Sequence, residues 1–257
     1  MSTAASALLT RVLPPVALFA ALLLVWQLAV VIGDIPAFFL PSPVAIGEAF
    51  GELLPSIASA SLVTGTNALL GLVIGALLGV AAAVVAAFVR VLDEMFAPVI
   101  AAVAVVPIVA LAPVLYTMFG AQLEIARVIV AAIAVFVPVF INSLRGLRQV
   151  RPVQRDLMRA YAASGWQTAR TVTIPSALPF MFTGLRIASS LAVISAVVAE
   201  YFGGPRSGIG SLITSAASGS NYARAWAFVV GAIIVGLVFF SATLAIERFF
   251  TRHTRGR

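Results

Sequence analysis

A chain of 257 residues that is 62% hydrophobic and only 10% charged has too little polar side chain to cover a soluble globule, so lipid is its main solvent. Its net charge of +7 comes from arginine without any lysine, and the absence of cysteine excludes disulfides, thiolate metal sites and thiol chemistry. The single histidine, His253, stands in a basic C-terminal tail and reads as a solvated residue rather than a catalyst or metal ligand.

The apolar runs predict an all-α membrane protein, one transmembrane domain over 1–257, with about six helices at 12–33, 57–89, 95–119, 125–144, 178–201 and 225–246. At 1.5 Å per residue, the uncharged runs 12–33 and 53–89 each exceed the roughly 30 Å hydrocarbon core of a bilayer. Six spans put both termini on one side. That side carries Arg11, Arg90, Arg145, Arg148, Arg151, Arg155, Arg159, Arg170, Arg248, Arg252, Arg255 and Arg257, against Arg127, Arg206 and Arg224 on the other. By the positive-inside rule the termini and the long basic loop are cytoplasmic, and the basic balance reports topology rather than nucleic-acid binding.

In chain order, the first run lacks a convincing small-residue cleavage site and reads as a retained helix, with Trp26 suited to interfacial anchoring or to core packing. Leu40-Pro41-Ser42-Pro43 then forbids a continuous helix. In the short stretch that follows, Glu48 and Glu52 share one face, while Ile46, Ala49, Phe50 and Leu53 can face headgroups or protein. The second span carries Gly71, Gly75 and Gly79 at intervals of four, a stripe for close helix packing.

The third span contains Pro107 and Pro113 and the fourth Pro138; each proline removes an amide donor and demands a kink or break. Freed backbone groups are tolerated in lipid only where protein or a water-filled cavity satisfies them. These prolines, with Asn142 one turn beyond Pro138, therefore mark either a translocation pathway or ordinary kinks in a packed bundle. In the fifth span Arg186 lies near the cytoplasmic end, where it can snorkel, and is about 21 Å from Glu200 along a helix, too far to pair with it. Glu200 sits in the last turn, where the helix dipole disfavours an anion. It needs a partner such as Arg206 or Arg224, or a proton, and is a candidate gate or structural pin. Gly203-Gly204-Pro205 and Gly208 to Gly210 read as a re-entrant or outer loop.

The loop 145–173 is the one long polar stretch inside the chain. Pro152 opens a helix, Asp156 follows near its positive end, and Leu157, Met158 and Tyr161 form an apolar edge against Arg155 and Arg159. Gly165 permits a turn, and a second short helix is expected from Trp166 to Pro175. Taken alone, these residues suit either a docking element or a solvated basic loop.

The same residues carry a family resemblance. The run Asp156-Leu157-Met158-Arg159-Ala160-Tyr161-Ala162-Ala163-Ser164, then Trp166-Gln167, Ile174-Pro175-Ser176-Ala177-Leu178-Pro179 and Gly184-Leu185-Arg186, resembles the EAA loop of ABC importer permeases, in the nitrate, sulfonate, taurine and pyrimidine-precursor branch. Leu40-Pro41-Ser42-Pro43, Pro107, Ala110, Pro113, Phe119-Gly120, Ala199-Glu200, Gly208-Ile209-Gly210 and Leu212 extend the match over 38–247. Two positions depart from the pattern. Asp156 replaces the usual glutamate, and Ala162 stands where the loop has glycine, the available glycine being displaced to Gly165.

The resemblance implies a type I importer permease fold, with Asp156, Leu157, Arg159, Ala160, Tyr161, Ala162, Ala163, Ser164, Gly165 and Trp166 as the contact with a cytoplasmic ATPase. It further implies an extracytoplasmic substrate-binding protein, a second permease (a copy or a paralogue), and a bacterial cytoplasmic membrane. Import would be ATP-driven and by alternating access, with ATP and Mg on the ATPase and no cofactor on this chain. Without lysine the chain has no G-x-x-x-x-G-K-[ST] loop of its own. The solute class is a small organic molecule or oxyanion: a sulfonate, nitrate, a thiamine-pyrimidine precursor or a flavin-like compound. Two other classes remain at this stage. An ion-coupled secondary transporter would have to use Glu200 and Glu124, and an intramembrane enzyme lacks any cysteine, core histidine or carboxylate pair to work with.

Overall fold

A computed structural model describes residues 3–251; His253, Arg252, Arg255 and Arg257 lie outside the described residues. In order the elements are α1 (Thr3–Ile32), α2 (Pro43–Glu52), α3 (Leu54–Phe88), α4 (Arg90–Val105), α5 (Ile108–Phe119), α6 (Ile125–Arg148), α7 (Pro152–Ala160), α8 (Gly165–Thr168), a π-helical turn (Ala169–Thr173), α9 (Ile174–Phe202), α10 (Ile209–Ser218) and α11 (Tyr222–Thr251). Five stretches are long and apolar enough to cross a membrane: α1, α3, α6, the column from α8 through α9, and α11.

The sixth crossing is broken. Pro107 has no N–H to continue a helix and holds Val106 extended (φ −60°, ψ 122°), so α4 and α5 meet at 100°. At about 24 Å and 18 Å, neither half spans a bilayer alone. Pro113 and Pro138, by contrast, lie inside α5 and α6 without ending them.

The centre of the bundle is α3, α6 and α9, with α11 and α10 against α9 and α2 against α11. Its sides are sorted by size. Ala60, Ala68, Ala83, Ala126, Ala131, Ala188, Ala192 and Ala196 are buried, whereas Leu62, Leu77, Ile194 and Leu237 point outward. In lipid no hydrophobic gain comes from bringing apolar helices together, so close backbone approach through small residues holds them instead. Gly71, Gly75 and Gly79 face α6, where an added Cβ would run into Ala131, Ala132, Val135 and Phe136. In α2, Ile46 and Ala49 turn toward protein rather than headgroups, behind an N-cap in which Ser42 Oγ accepts the Ala45 N–H at 3.2 Å. Trp26 of α1 meets Trp226 of α11 edge-on, with ring centroids 5.7 Å apart. Arg186 pairs with Glu247 of α11 at 3.2 Å.

One expectation for the loop needs correction. The segment after Trp166 is not a separate short helix ending at Pro175: α8, the π turn and α9 form one column of 38 residues from Gly165 to Phe202. Pro175 falls in the first turn of α9, and the π turn before it widens the ladder where its missing N–H would otherwise leave a gap.

Candidate functional site

At the end of the bundle away from the loop, Glu200 is 1% exposed and Arg127 fully buried. Glu200 Oε2 accepts the Thr64 hydroxyl at 2.8 Å and the Gly210 N–H at 3.0 Å, and Thr64 Oγ1 in turn accepts the Ile209 N–H at 2.9 Å. Both amides open α10, where the first turn has no partners of its own. Side chains from α3 and α9 therefore cap α10, and the positive end of its dipole faces the carboxylate. The cation beside Glu200 is Arg127, with Nη1 3.8 Å from Oε1, and not the expected Arg206 or Arg224.

Arg127 holds several elements at once. Its Nε donates to Tyr116 Oη at 3.3 Å, Nη1 to Glu124 and Nη2 to the Pro205 carbonyl. Tyr116 Oη donates to the Ala199 carbonyl at 3.2 Å, and Asn67 Nδ2 to Glu124 Oε2 at 2.7 Å. A charge taken out of water this completely is stable only when such hydrogen bonds offset its desolvation. The Gly208-Ile209-Gly210 run has its reason here as well. A Cβ on Gly208 would overlap the Glu200 carboxyl group, and one on Gly210 would overlap the Val197 carbonyl. Beside this cluster lies a cavity of about 290 Å³ lined by Glu200, Tyr201, Arg206, Ser211, Thr214 and Ser215.

The candidate pathway residues lie on or cap three helices. Pro107 and Pro113 are exposed on the broken span, whereas Pro138 and Asn142 lie where α6 meets Gly184 of α9. Asn142 Nδ2 bonds the Pro138 carbonyl at 2.8 Å, and Pro138 borders a small apolar cavity of about 180 Å³ with Val103, Val106, Ile133 and Leu191.

At the other end, α7 buries none of its residues. Val153, Leu157 and Tyr161, at intervals of four, form an apolar stripe on one face, and Trp166 follows; Tyr161 is 76% exposed and Trp166 71%. Asp156 and Arg159 form an exposed pair at 3.6 Å, and Ala160 is exposed beside them. The helix ends in a Schellman turn: Ala163 N–H bonds the Met158 carbonyl and Ala162 N–H the Arg159 carbonyl, with Ala162 at φ +49°. The left-handed residue is thus Ala162, the position where the resembling loop has glycine. Gly165 does not make the turn; it opens α8 behind a capping box in which Ser164 Oγ accepts the Gln167 N–H and Gln167 Oε1 the Ser164 N–H.

Residues 71–256 match the model of binding-protein-dependent transport system inner membrane components. The chain belongs to that family. This permease is 36% identical over 197 residues to a riboflavin transport system permease protein of Chloroflexus aurantiacus, covering 76% of this chain and 73% of that one. It is 29% identical over 239 residues to a putative aliphatic sulfonates transport permease protein of Bacillus subtilis, covering 89% and 83%. With a bicarbonate transport system permease protein of Synechococcus elongatus it shares 28% over 255 residues, covering 94% and 87%. Its fold matches the crystal structure of an amino acid ABC transporter with histidines, at a TM-score of 0.62 and 18% identity over 77% of this chain and 95% of that one. It is an ABC importer permease of the branch the loop resembles, and a multi-pass membrane protein.

Arg127, Thr64, Asn67 and Tyr116 had no role in the sequence reading, which counted Arg127 only toward topology. The signal was present: Glu124 and Arg127 are three apart at the mouth of an apolar helix, and Thr64 and Asn67 are three apart in an otherwise apolar span. Among the described residues no three His, Asp or Glu side chains group as a metal site.

Proposed function

We propose that this permease is the membrane half of an ATP-driven importer, in which a separate cytoplasmic ATPase docks on α7 and α8. The observation that carries this reading is the bare stripe of Val153, Leu157 and Tyr161 with Trp166 at the start of the α8–α9 column, an apolar patch that the described residues of the bundle leave uncovered. The contact residues would be Asp156, Leu157, Arg159, Ala160, Tyr161, Ala162, Ala163, Ser164, Gly165 and Trp166. The arginine bias supports placing this end, with both termini, in the cytoplasm of a bacterial inner membrane. ATP and Mg would be bound by the ATPase.

The mechanical part follows from the column. Gly165 to Glu200 runs about 53 Å along the column, so displacement of α8 tilts the helix whose far end caps α10. Tilting two permeases, identical or paralogous, would expose a midplane route alternately to each side. The solute would be a small organic molecule or oxyanion brought by an extracytoplasmic binding protein. The relatives' names, covering riboflavin, aliphatic sulfonates and bicarbonate, support that breadth and select no single member of it. The test is reconstitution: the solubilised permease should co-purify with a nucleotide-binding subunit, and uptake into vesicles should require ATP. Uptake that persists without ATP and without such a subunit would instead indicate an ion-coupled carrier.

A further inference from the structure

Between α7, α8 and the ends of α3 and α6 lies a cavity of about 410 Å³, within the range of small-molecule sites. Arg148, Arg155 and Arg159 line it together with Thr168 and Thr173, and no acidic side chain lines it. Its charges are unequally engaged. Arg148 is held by Asp93 at 2.7 Å and reaches the Ala86 carbonyl at 3.5 Å; Arg159 has only the solvent-exposed Asp156 at 3.6 Å; Arg155 has no ion pair among the described residues. Ala87 and Phe88 form another part of the wall, and Phe88, at the end of the α3 span, is 67% exposed on the outside of the bundle. The cavity thus touches both the loop and the membrane-facing end of a spanning helix.

We propose that this cavity binds a phosphate group, with Arg155 and Arg159 as its principal donors and Arg148 as a fixed third. Planar guanidinium forks match phosphate oxygens in pairs, and a group bound here would tie α7 to the ends of α3 and α6. Two sources share this chemistry. One is the phosphodiester of an anionic phospholipid, favoured by the Phe88 wall and by basic pockets at the cytoplasmic leaflet; the other is free phosphate. The proposal takes its leaflet from the topology under the proposed function but needs no ATPase.

The experiment titrates the full-length permease in detergent with phosphatidylglycerol or phosphatidylcholine, reads bound lipid by native mass spectrometry, and repeats the titration with millimolar inorganic phosphate. Phosphatidylglycerol should be preferred by about tenfold or more, and R155Q/R159Q should bring the two lipids to near parity, while R170Q, outside the cavity, leaves the preference unchanged. Suppression of phosphatidylglycerol binding by inorganic phosphate, likewise lost in R155Q/R159Q, supports a shared phosphate site, and the same suppression without any preference for phosphatidylglycerol over phosphatidylcholine assigns free phosphate as its source. Equal binding of both lipids without any phosphate effect overturns the proposal, as does an unchanged preference in R155Q/R159Q. Unchanged lipid binding with lost ATPase association would assign the arginines to the protein contact instead. Melting curves of R155Q/R159Q guard against misfolding. Labelling of S164C in sealed vesicles tests the topology separately, since the chain has no other thiol.

Discussion

Arg127 is fully buried and hydrogen-bonded to Tyr116, Glu124 and the Pro205 carbonyl, whereas Tyr161 and Trp166 at the other end of the bundle stand about three-quarters exposed among the described residues. The same α8–α9 column ends in both places. One end is pinned by the hydrogen bonds of Arg127, Glu124, Glu200 and Thr64 and cannot change partners without leaving a charge unpaired. The other is an incomplete surface. A helix fixed at one end and free to be gripped at the other transmits force along its length, and this contrast is the physical content of the proposed coupling.

The contrast can be broken first at the pinned end. Arg127→Met leaves Glu124 and Glu200 without their shared cation and should destabilise the bundle by about 3–5 kcal/mol, read as a large fall in the unfolding midpoint in detergent. Gly208→Ala forces a Cβ against the Glu200 carboxyl group and should cost about 1–3 kcal/mol by the same measurement. Glu200→Gln keeps an oxygen for the Thr64 and Gly210 donors and should cost only about 1 kcal/mol, clearly less than Glu200→Ala, which strips the cap from α10. Equal losses for the glutamine and alanine variants would show that the charge, not the capping, holds this end. At the free end, Ala162→Gly relieves a left-handed alanine and should stabilise the turn by about 1 kcal/mol, seen as slower hydrogen exchange in the last turn of α7 without a change at Glu200.

How legible each end was in the sequence follows from what defines it. Composition, run lengths and the prolines carry the helical class and the broken third span, because Pro107 acts on its own neighbours whatever surrounds it. The stripe of α7 was half visible: spacing shows Leu157 and Tyr161 on one edge, but their exposure depends on what the rest of the chain leaves uncovered. The Arg127 cluster was the least legible, since Thr64, Tyr116, Arg127, Glu200 and the α10 amides come from distant parts of the chain and meet only after packing. The sequence shows that Glu200 needs a partner or a proton, but nearness in sequence points to Arg206 and Arg224, whereas the cation beside it is Arg127. Likewise, the resemblance marks Ala162 as standing where the loop has glycine, but its positive φ becomes visible only once the Schellman turn is formed.

The central claim is that force enters at the uncovered stripe of α7. Its most direct test is Tyr161→Asp in permease reconstituted with its ATPase and binding protein, read as ATP hydrolysis stimulated by loaded binding protein. Tyr161 touches none of the pinned cluster, so the melting curve should match that of the parent while stimulated hydrolysis falls to the basal rate. Full stimulation in a variant carrying a charge at the proposed contact would contradict the account.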